Sequence, residues 1–259
     1  MVMNFARRIV VKVGTSTITY ENGRMNHGNI DRLCRAIADL MNSGKEVLLV
    51  TSGAIGVGIG CLKLPTRPES MREKQAIAAV GQCELMFMYD KLFGEYGHTV
   101  GQLLITKSDV ENEERRHNLI NTFNRLFDFG AIPVINENDS VAVEEIVYGD
   151  NDSLSAIVAK LINADALIIL TDIDGLYDSN PNENEDAKLI PLVTEIDEDL
   201  YKIAGGKGST LGTGGMVTKL HAAEITMSAG IDTIVMNGEN PTEIYKALDG
   251  KQVGTFFKG

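Results

Sequence analysis

The sequence predicts an α/β fold built on a mostly parallel sheet, and three observations carry that prediction. Short, branched, near-continuously apolar segments recur along the 259 residues, as strands buried on both faces do. Longer stretches with the apolar spacing of helices lie between them. The alternation of the two periods implies βαβ units, and therefore parallel strands covered by helices on both sides.

IVVKV (9–13) is the first strand, and residues 29–41 form a helix whose inner face carries Ile30, Leu33, Ile37, Leu40 and Met41. EVLLVT (46–51) is the second strand; it runs into the glycine-rich turn VTSGAIGVGIG (50–60), which opens a helix. Residues 71–93 make a long Ala- and Met-rich helix whose segment 85–89 belongs to the core or to an oligomer face. VGQLLIT (100–106) and AIPVIN (131–136) are strands flanking a helix over 115–129, with Leu119, Ile120, Phe123 and Leu126 inward. SVAVEEIVY (140–148) alternates apolar and polar residues and predicts an exposed edge strand or hairpin. A helix over 151–161, the strand ALIILT (166–171), a polar surface loop DSNPNENED (178–186), a helix over 216–228, the strand DTIVMN (232–237) and a helix over 241–248 complete the chain. No linker composition and no fixed-period repeat interrupts it, so one domain in two lobes is expected.

Charge narrows the function. Lys and Arg total 24 against 36 Asp and Glu, a formal net charge of −12. A nucleic acid or an anionic membrane as main partner needs a basic surface. A small anionic ligand needs only local lysines and amides. Cys34, Cys61 and Cys83 are odd in number and none forms a C-x-x-C pair, which suits reduced thiols in the cytoplasm. No stretch is apolar enough to cross a membrane.

Five segments place reactive groups where ligands bind in open α/β sheets, at the carboxyl ends of strands. Lys12 lies inside the first strand, before Gly14, Thr15 and Ser16; a buried ammonium needs an anion or a partner, whereas a lysine on an edge strand would snorkel. Ser52, Gly53 and Ala54 open the glycine-rich turn, whose amides can hold an anion. Neither the dinucleotide fingerprint nor the P-loop pattern fits it. Asn136, Glu137, Asn138 and Asp139 follow a strand, while Gly149, Asp150, Asn151 and Asp152 precede a helix. One of these could be a helix cap, but seven Asx or Glx residues in two clusters exceed what a cap requires, and such clusters also suit Mg²⁺ beside phosphates. Thr171 and Asp172 end a buried strand, where a ribose or base could be bound. In GTGGMVTK, a glycine-rich loop leads to Lys219 near a helix start, where a cation opposes the helix dipole and suits an anionic ligand better than stability. An exposed lysine is the plain alternative there. The four histidines have no metal spacing and no nucleophile partner.

KVGTSTIT, VTSGAIGVG, INENDSV, YGDND, LTDIDGLY and GTGGMVTK, in this order and at these intervals, resemble the glutamate 5-kinases of the amino-acid kinase family, across residues 8–257. The resemblance implies a three-layer αβα open sandwich with a central eight-stranded, mostly parallel sheet. Its N-terminal lobe, about 1–165, would hold glutamate and its C-terminal lobe, about 166–259, ATP. It further implies that Ser52, Asp139 and Asn151 bind glutamate with the amides of Gly53 and Ala54 nearby. ATP would meet Lys12, Thr171, Asp172, Thr213, Gly214, Gly215, Met216, Val217, Thr218 and Lys219. Lys12 and Lys219 would contact the transferred phosphoryl, and Asp152 would orient both lysines. No protein-held metal is expected, Mg²⁺ being carried mainly by the ATP phosphates. A homo-oligomer, proline as feedback inhibitor, and no nucleic-acid or membrane partner are implied as well. Many members continue into an RNA-binding-like PUA domain, and none is expected here. A kinase for another small carboxylate and a non-catalytic amino-acid or nucleotide sensor are the competing readings. Retention of both lysines speaks against the sensor.

Overall fold

The computed structural model describes residues 3, 5–20, 22–141, 151–181, 183–205 and 215–259. Strands β1 (Arg8–Val13), β2 (Glu46–Val50), β3 (Val100–Ile105), β4 (Ile132–Glu137), β5 (Ala166–Thr171), β6 (Leu192–Val193), β7 (Asp232–Asn237) and β8 (Thr255–Phe257) form one sheet in the order β3-β4-β2-β1-β5-β7-β8-β6. Every pairing is parallel except β7 with β8. The six longer strands coincide with the six apolar segments. The two short ones, β6 and β8, leave too few residues for a period to be legible.

The helices are α1 (Thr15–Ile18), α2 (His27–Asn42), α3 (Ala54–Leu62), α4 (Met71–Glu95), α5 (Lys107–Glu111), α6 (Glu113–Asp128), α7 (Asn151–Leu161), α8 (Glu198–Ile203), α9 (Met216–Met227) and α10 (Ile244–Leu248). Their starts follow the sequence. Ser70 and Glu73 form a reciprocal capping box on α4, and the Asn26 side chain accepts from Asn29 N at the start of α2, each the type of cap worth about 1 kcal/mol. Ser140 and Val141 lie in a turn, and the rest of the expected hairpin over 140–148 lies outside the described residues.

Strand periodicity sorts the core into two layers. Ile9, Val11 and Val13 face one side and pack with Leu33 and Ile37 of α2 and Leu85 and Tyr89 of α4. Val10, Leu48, Val50 and Ile169 face the other and pack with Val158 of α7 and Leu220 of α9. These side chains are fully shut from solvent, each contributing on the order of 1.5–3 kcal/mol by burial. Lys12 shares the parity of Val10, so alternation points it toward α7 and α9. Register then aligns the strand ends, with Lys12 opposite Val50 on one side and Ile169 on the other, and Val50 opposite Ile135. The segments after β1, β2, β4 and β5 therefore emerge together at one edge of the sheet.

Candidate active site

At that edge α7 and α9 bring their N-terminal turns together. Asp152, second residue of α7, is 0% exposed, and Lys12 and Lys219 are 5% and 3% exposed. Lys12 Nζ lies 2.5 Å from Asp152 Oδ1, and Lys219 Nζ lies 3.1 Å from Oδ2. Thr218 Oγ1 also donates to Oδ2 at 2.9 Å. Burial alone would raise the Asp152 carboxyl, but the two ammoniums outweigh it and hold the group below the ordinary carboxylate range. Two cations and one anion leave the cluster with one net positive charge. Withdrawn from water, that charge favours an arriving anion.

α7 opens with Asn151, one residue before Asp152. Its Nδ2 donates to Ser52 Oγ at 2.8 Å and to Asn136 Oδ1 at 3.0 Å. Asn136 Oδ1 also accepts from Glu137 N at 2.9 Å, and its Nδ2 donates to Gln82 Oε1 at 2.8 Å. Asn151 Oδ1 is buried with no hydrogen-bond partner among the described residues. Gly53 stands between Ser52 and α3 at φ 90°, and a Cβ there would sit 3.2 Å from Ile18 Cδ1. The turn needs glycine on both counts. It leaves the Ala54 end of α3, free of any side-chain cap, beside Ser52.

Asp139, beyond the end of β4, is half-buried and makes no hydrogen bond or ion pair to a described residue. Burial raises its carboxyl above the usual range. Such a group gains most from a cation brought by a ligand.

Thr171 and Asp172 end β5. Thr171 Oγ1 donates to Asp172 Oδ1 at 3.1 Å, and the Thr171 carbonyl accepts from Gly238 N at 2.7 Å. Neither touches the Asp152 cluster, but β5 neighbours β1 and Gly14 N donates to Leu170 O. Gly215 caps α9 through backbone alone, and Met216 and Val217 fill the first turn. The single Thr218 hydroxyl proton is shared between the Gly215 carbonyl at 2.7 Å and Asp152 Oδ2 at 2.9 Å. Thr213 and Gly214 lie outside the described residues, as do Gly149 and Asp150.

The geometry thus gathers Lys12, Asp152, Thr218 and Lys219 in one cluster, and Ser52 with Asn151 in a second beside it. Gln82 was not legible as part of the site from its position in an Ala- and Met-rich helix. The signal was there: a lone amide among Ile77, Ala78, Leu85 and Tyr89 on the inner face of α4. Among the described residues no three His, Cys, Asp or Glu stand grouped to hold a metal ion. Both Asp152 oxygens face lysines. No helix among the described residues is long and apolar enough to cross a membrane.

Residues 7–237 match the model of the amino acid kinase family. The chain is 56% identical over 256 residues to a glutamate 5-kinase of Clostridium perfringens, covering 97% of this chain and 95% of that one. It is 53% identical to a glutamate 5-kinase of Listeria innocua, covering 97% and 93%. Among solved structures, isopentenyl phosphate kinase of T. acidophilum superposes with a TM-score of 0.67 at 19% identity, covering 97% of this chain and all of that one. UMP kinase of Bacillus anthracis gives 0.65 at 17%, covering 98% and 96%. At such identities the solved structures speak to the fold, the three-layer sandwich, and the two sequence relatives to the branch. The chain belongs to the amino acid kinase family, among its glutamate 5-kinases.

Proposed function

We propose that the buried Lys12–Asp152–Lys219 cluster carries phosphoryl transfer from ATP to the γ-carboxylate of L-glutamate, giving ADP and L-glutamyl 5-phosphate, the first step of proline biosynthesis. The observation that carries the assignment is the net positive charge buried at the strand ends, next to a polar network suited to an amino acid. A carboxylate is already ionised at pH 7 and needs no general base. One of its oxygens attacks the γ-phosphorus, the bond from that phosphorus to the β–γ bridging oxygen breaks, and the departing electron pair stays on ADP. No proton moves.

The obstacle is bringing an anion against a polyanion. Positioning and charge stabilisation supply the catalysis. Lys12 and Lys219 meet the transferring group, and Asp152 fixes both ammoniums with help from Thr218. ATP lies along Thr171, Asp172 and the loop that carries Thr213, Gly214, Gly215, Met216 and Val217. Asp139 takes the substrate ammonium together with Asn151 Oδ1, and Ser52 with the amides of Gly53 and Ala54 addresses carboxylate. In this division residues 1–165 hold glutamate and residues 166–259 hold ATP. Mg²⁺ arrives with the nucleotide as Mg·ATP.

A cytoplasmic homo-oligomer with proline as feedback inhibitor completes the reading. Proline presents the same α-carboxylate and a cationic nitrogen, so it would compete at Ser52, Asp139 and Asn151. ADP release measured with glutamate, aspartate and N-acetylglutamate tests the whole. Glutamate alone should turn over well. Aspartate falls one methylene short of the phosphoryl group, and N-acetylglutamate lacks the ammonium and leaves buried acceptors unpaired. Equal rates with aspartate would replace this reading by that of another small-carboxylate kinase. ATP binding without turnover of any of the three would replace it by that of a sensor.

A further inference from the structure

We propose that Gln82, on α4, is a positioning residue that fixes the amide polarity of the amino-acid subsite through Asn136 and Asn151. The inference rests on the assignment of Asn151 and Ser52 to glutamate made above.

The network has a direction. The Glu137 N–H is a backbone donor and cannot turn, so Asn136 must present Oδ1 to it. The same oxygen takes the Asn151 NH₂. Asn136 then turns its own NH₂ inward, where Gln82 Oε1 receives it at 2.8 Å. With Nδ2 committed to Ser52 and Asn136, Asn151 is left showing an acceptor, Oδ1, without a partner among the described residues. An acceptor is what a substrate ammonium requires.

Without the Gln82 oxygen, the Asn136 NH₂ is a buried donor with nothing to donate to, since Asn136 is 1% exposed. An unpaired buried donor costs more than a lost bond. Rotation of Asn136 relieves it by setting its NH₂ against the Asn151 NH₂ and the Glu137 N–H. Asn151 must then turn, and it offers a donor to a cation.

Helix packing supports this placement of Gln82. A Cβ on Gly81 would lie 1.8 Å from the Ala54 carbonyl oxygen, and one on Gly58 would lie 2.1 Å from the Ile77 carbonyl oxygen. Only paired glycines let α4 approach α3 so closely. The same inner face sends Tyr89 Oη to Thr51 Oγ1 at 2.7 Å, just before Ser52. One helix therefore braces the Thr51–Ser52 segment, the start of α3 and the end of β4.

The test uses the full chain and compares Gln82→Met, which removes the oxygen at similar volume, with Gln82→Glu, which keeps an oxygen and loses the NH₂. The expected result for Gln82→Met is a glutamate KM raised roughly tenfold or more, with the ATP KM and Tm close to the parent's. Gln82→Glu should restore the glutamate KM to within about threefold. Asn151→Ala should cost much less in the Gln82→Met background than in the parent, because the two act through one network. Additive effects would overturn the relay, and so would equal KM increases in Gln82→Met and Gln82→Glu, which would make the NH₂ the active group. If Gln82→Met does not fold, Gln82→Glu decides alone: a near-parental glutamate KM supports the relay and a tenfold rise overturns it. Asn151→Ala in the parent separates the two levels. If it leaves the glutamate KM unmoved, the assignment of Asn151 falls and the relay with it. If it raises that KM while Gln82→Met does not, the relay alone is wrong.

Discussion

Asp152, in the first turn of α7, and Lys219, one turn into α9, meet 3.1 Å apart with both side chains closed to solvent. Each helix contributes its N-terminal end to the same spot, where the dipoles favour negative charge. Asp152 suits that field and Lys219 opposes it. The lysine is stable there because Asp152 compensates it, and an arriving phosphate would compensate it further.

Replacing Asp152 by Asn should therefore destabilise the protein by about 3–5 kcal/mol at pH 7, since two buried ammoniums lose their counter-charge. Its folded carboxyl is held below the unfolded value, so its contribution is fully present above that unfolded value and is lost as pH falls through the folded one. The gap between parent and Asp152→Asn should narrow below about pH 4. Denaturant titrations across pH measure this, and a gap that stays constant into acid would contradict it. Added ATP should raise the Tm of the variant more than that of the parent.

Asp139 gives a second pH signature. Burial raises its carboxyl, and no described residue offers it a cation. As pH falls through that raised value, Asp139 loses its charge and its attraction for an ammonium. The glutamate KM should climb at a higher pH than an ordinary carboxylate would dictate, while the ATP KM stays level. Asp139→Asn should flatten the profile and raise the glutamate KM at neutral pH. A raised ATP KM with glutamate unaffected would place Asp139 on the nucleotide side.

Gly53→Ala should cost about 1 kcal/mol or more, because alanine is strained at φ 90° and its Cβ crowds Ile18. Displacement of Ser52 and the Ala54 amide should raise the glutamate KM more than the ATP KM. An unchanged glutamate KM would remove this turn from the amino-acid subsite.

Much of this was legible in the sequence because buried parallel strands write their period plainly. Lys12 stood out as the one charge in IVVKV, but only the fold shows that α7 and α9, with Asp152 and Lys219, cover the face it shares with Val10. The strands β6 and β8 were not legible, since two and three residues at a sheet edge carry no period. α1, α5 and α8 span four to six residues each and are set by tertiary contacts rather than by amphipathic pattern. Asn136 was visible as one of several polar residues after a strand, but its partner Gln82 is 54 positions away. Locally Gln82 shows only as a lone amide on the apolar inner face of α4, and the fold alone decides which residue it meets. Thr218 fell within a glycine-rich loop motif, and only the fold shows that its hydroxyl turns to Asp152.

The most direct measurement is kcat for Lys12→Ala and Lys219→Ala with saturating glutamate and Mg·ATP. If the buried lysines stabilise charge mainly as the phosphoryl group transfers, each variant should lose roughly 10²-fold or more in kcat with smaller changes in either KM. Near-parental kcat in both, with the loss confined to KM, would contradict the account and leave the cluster a binding site alone.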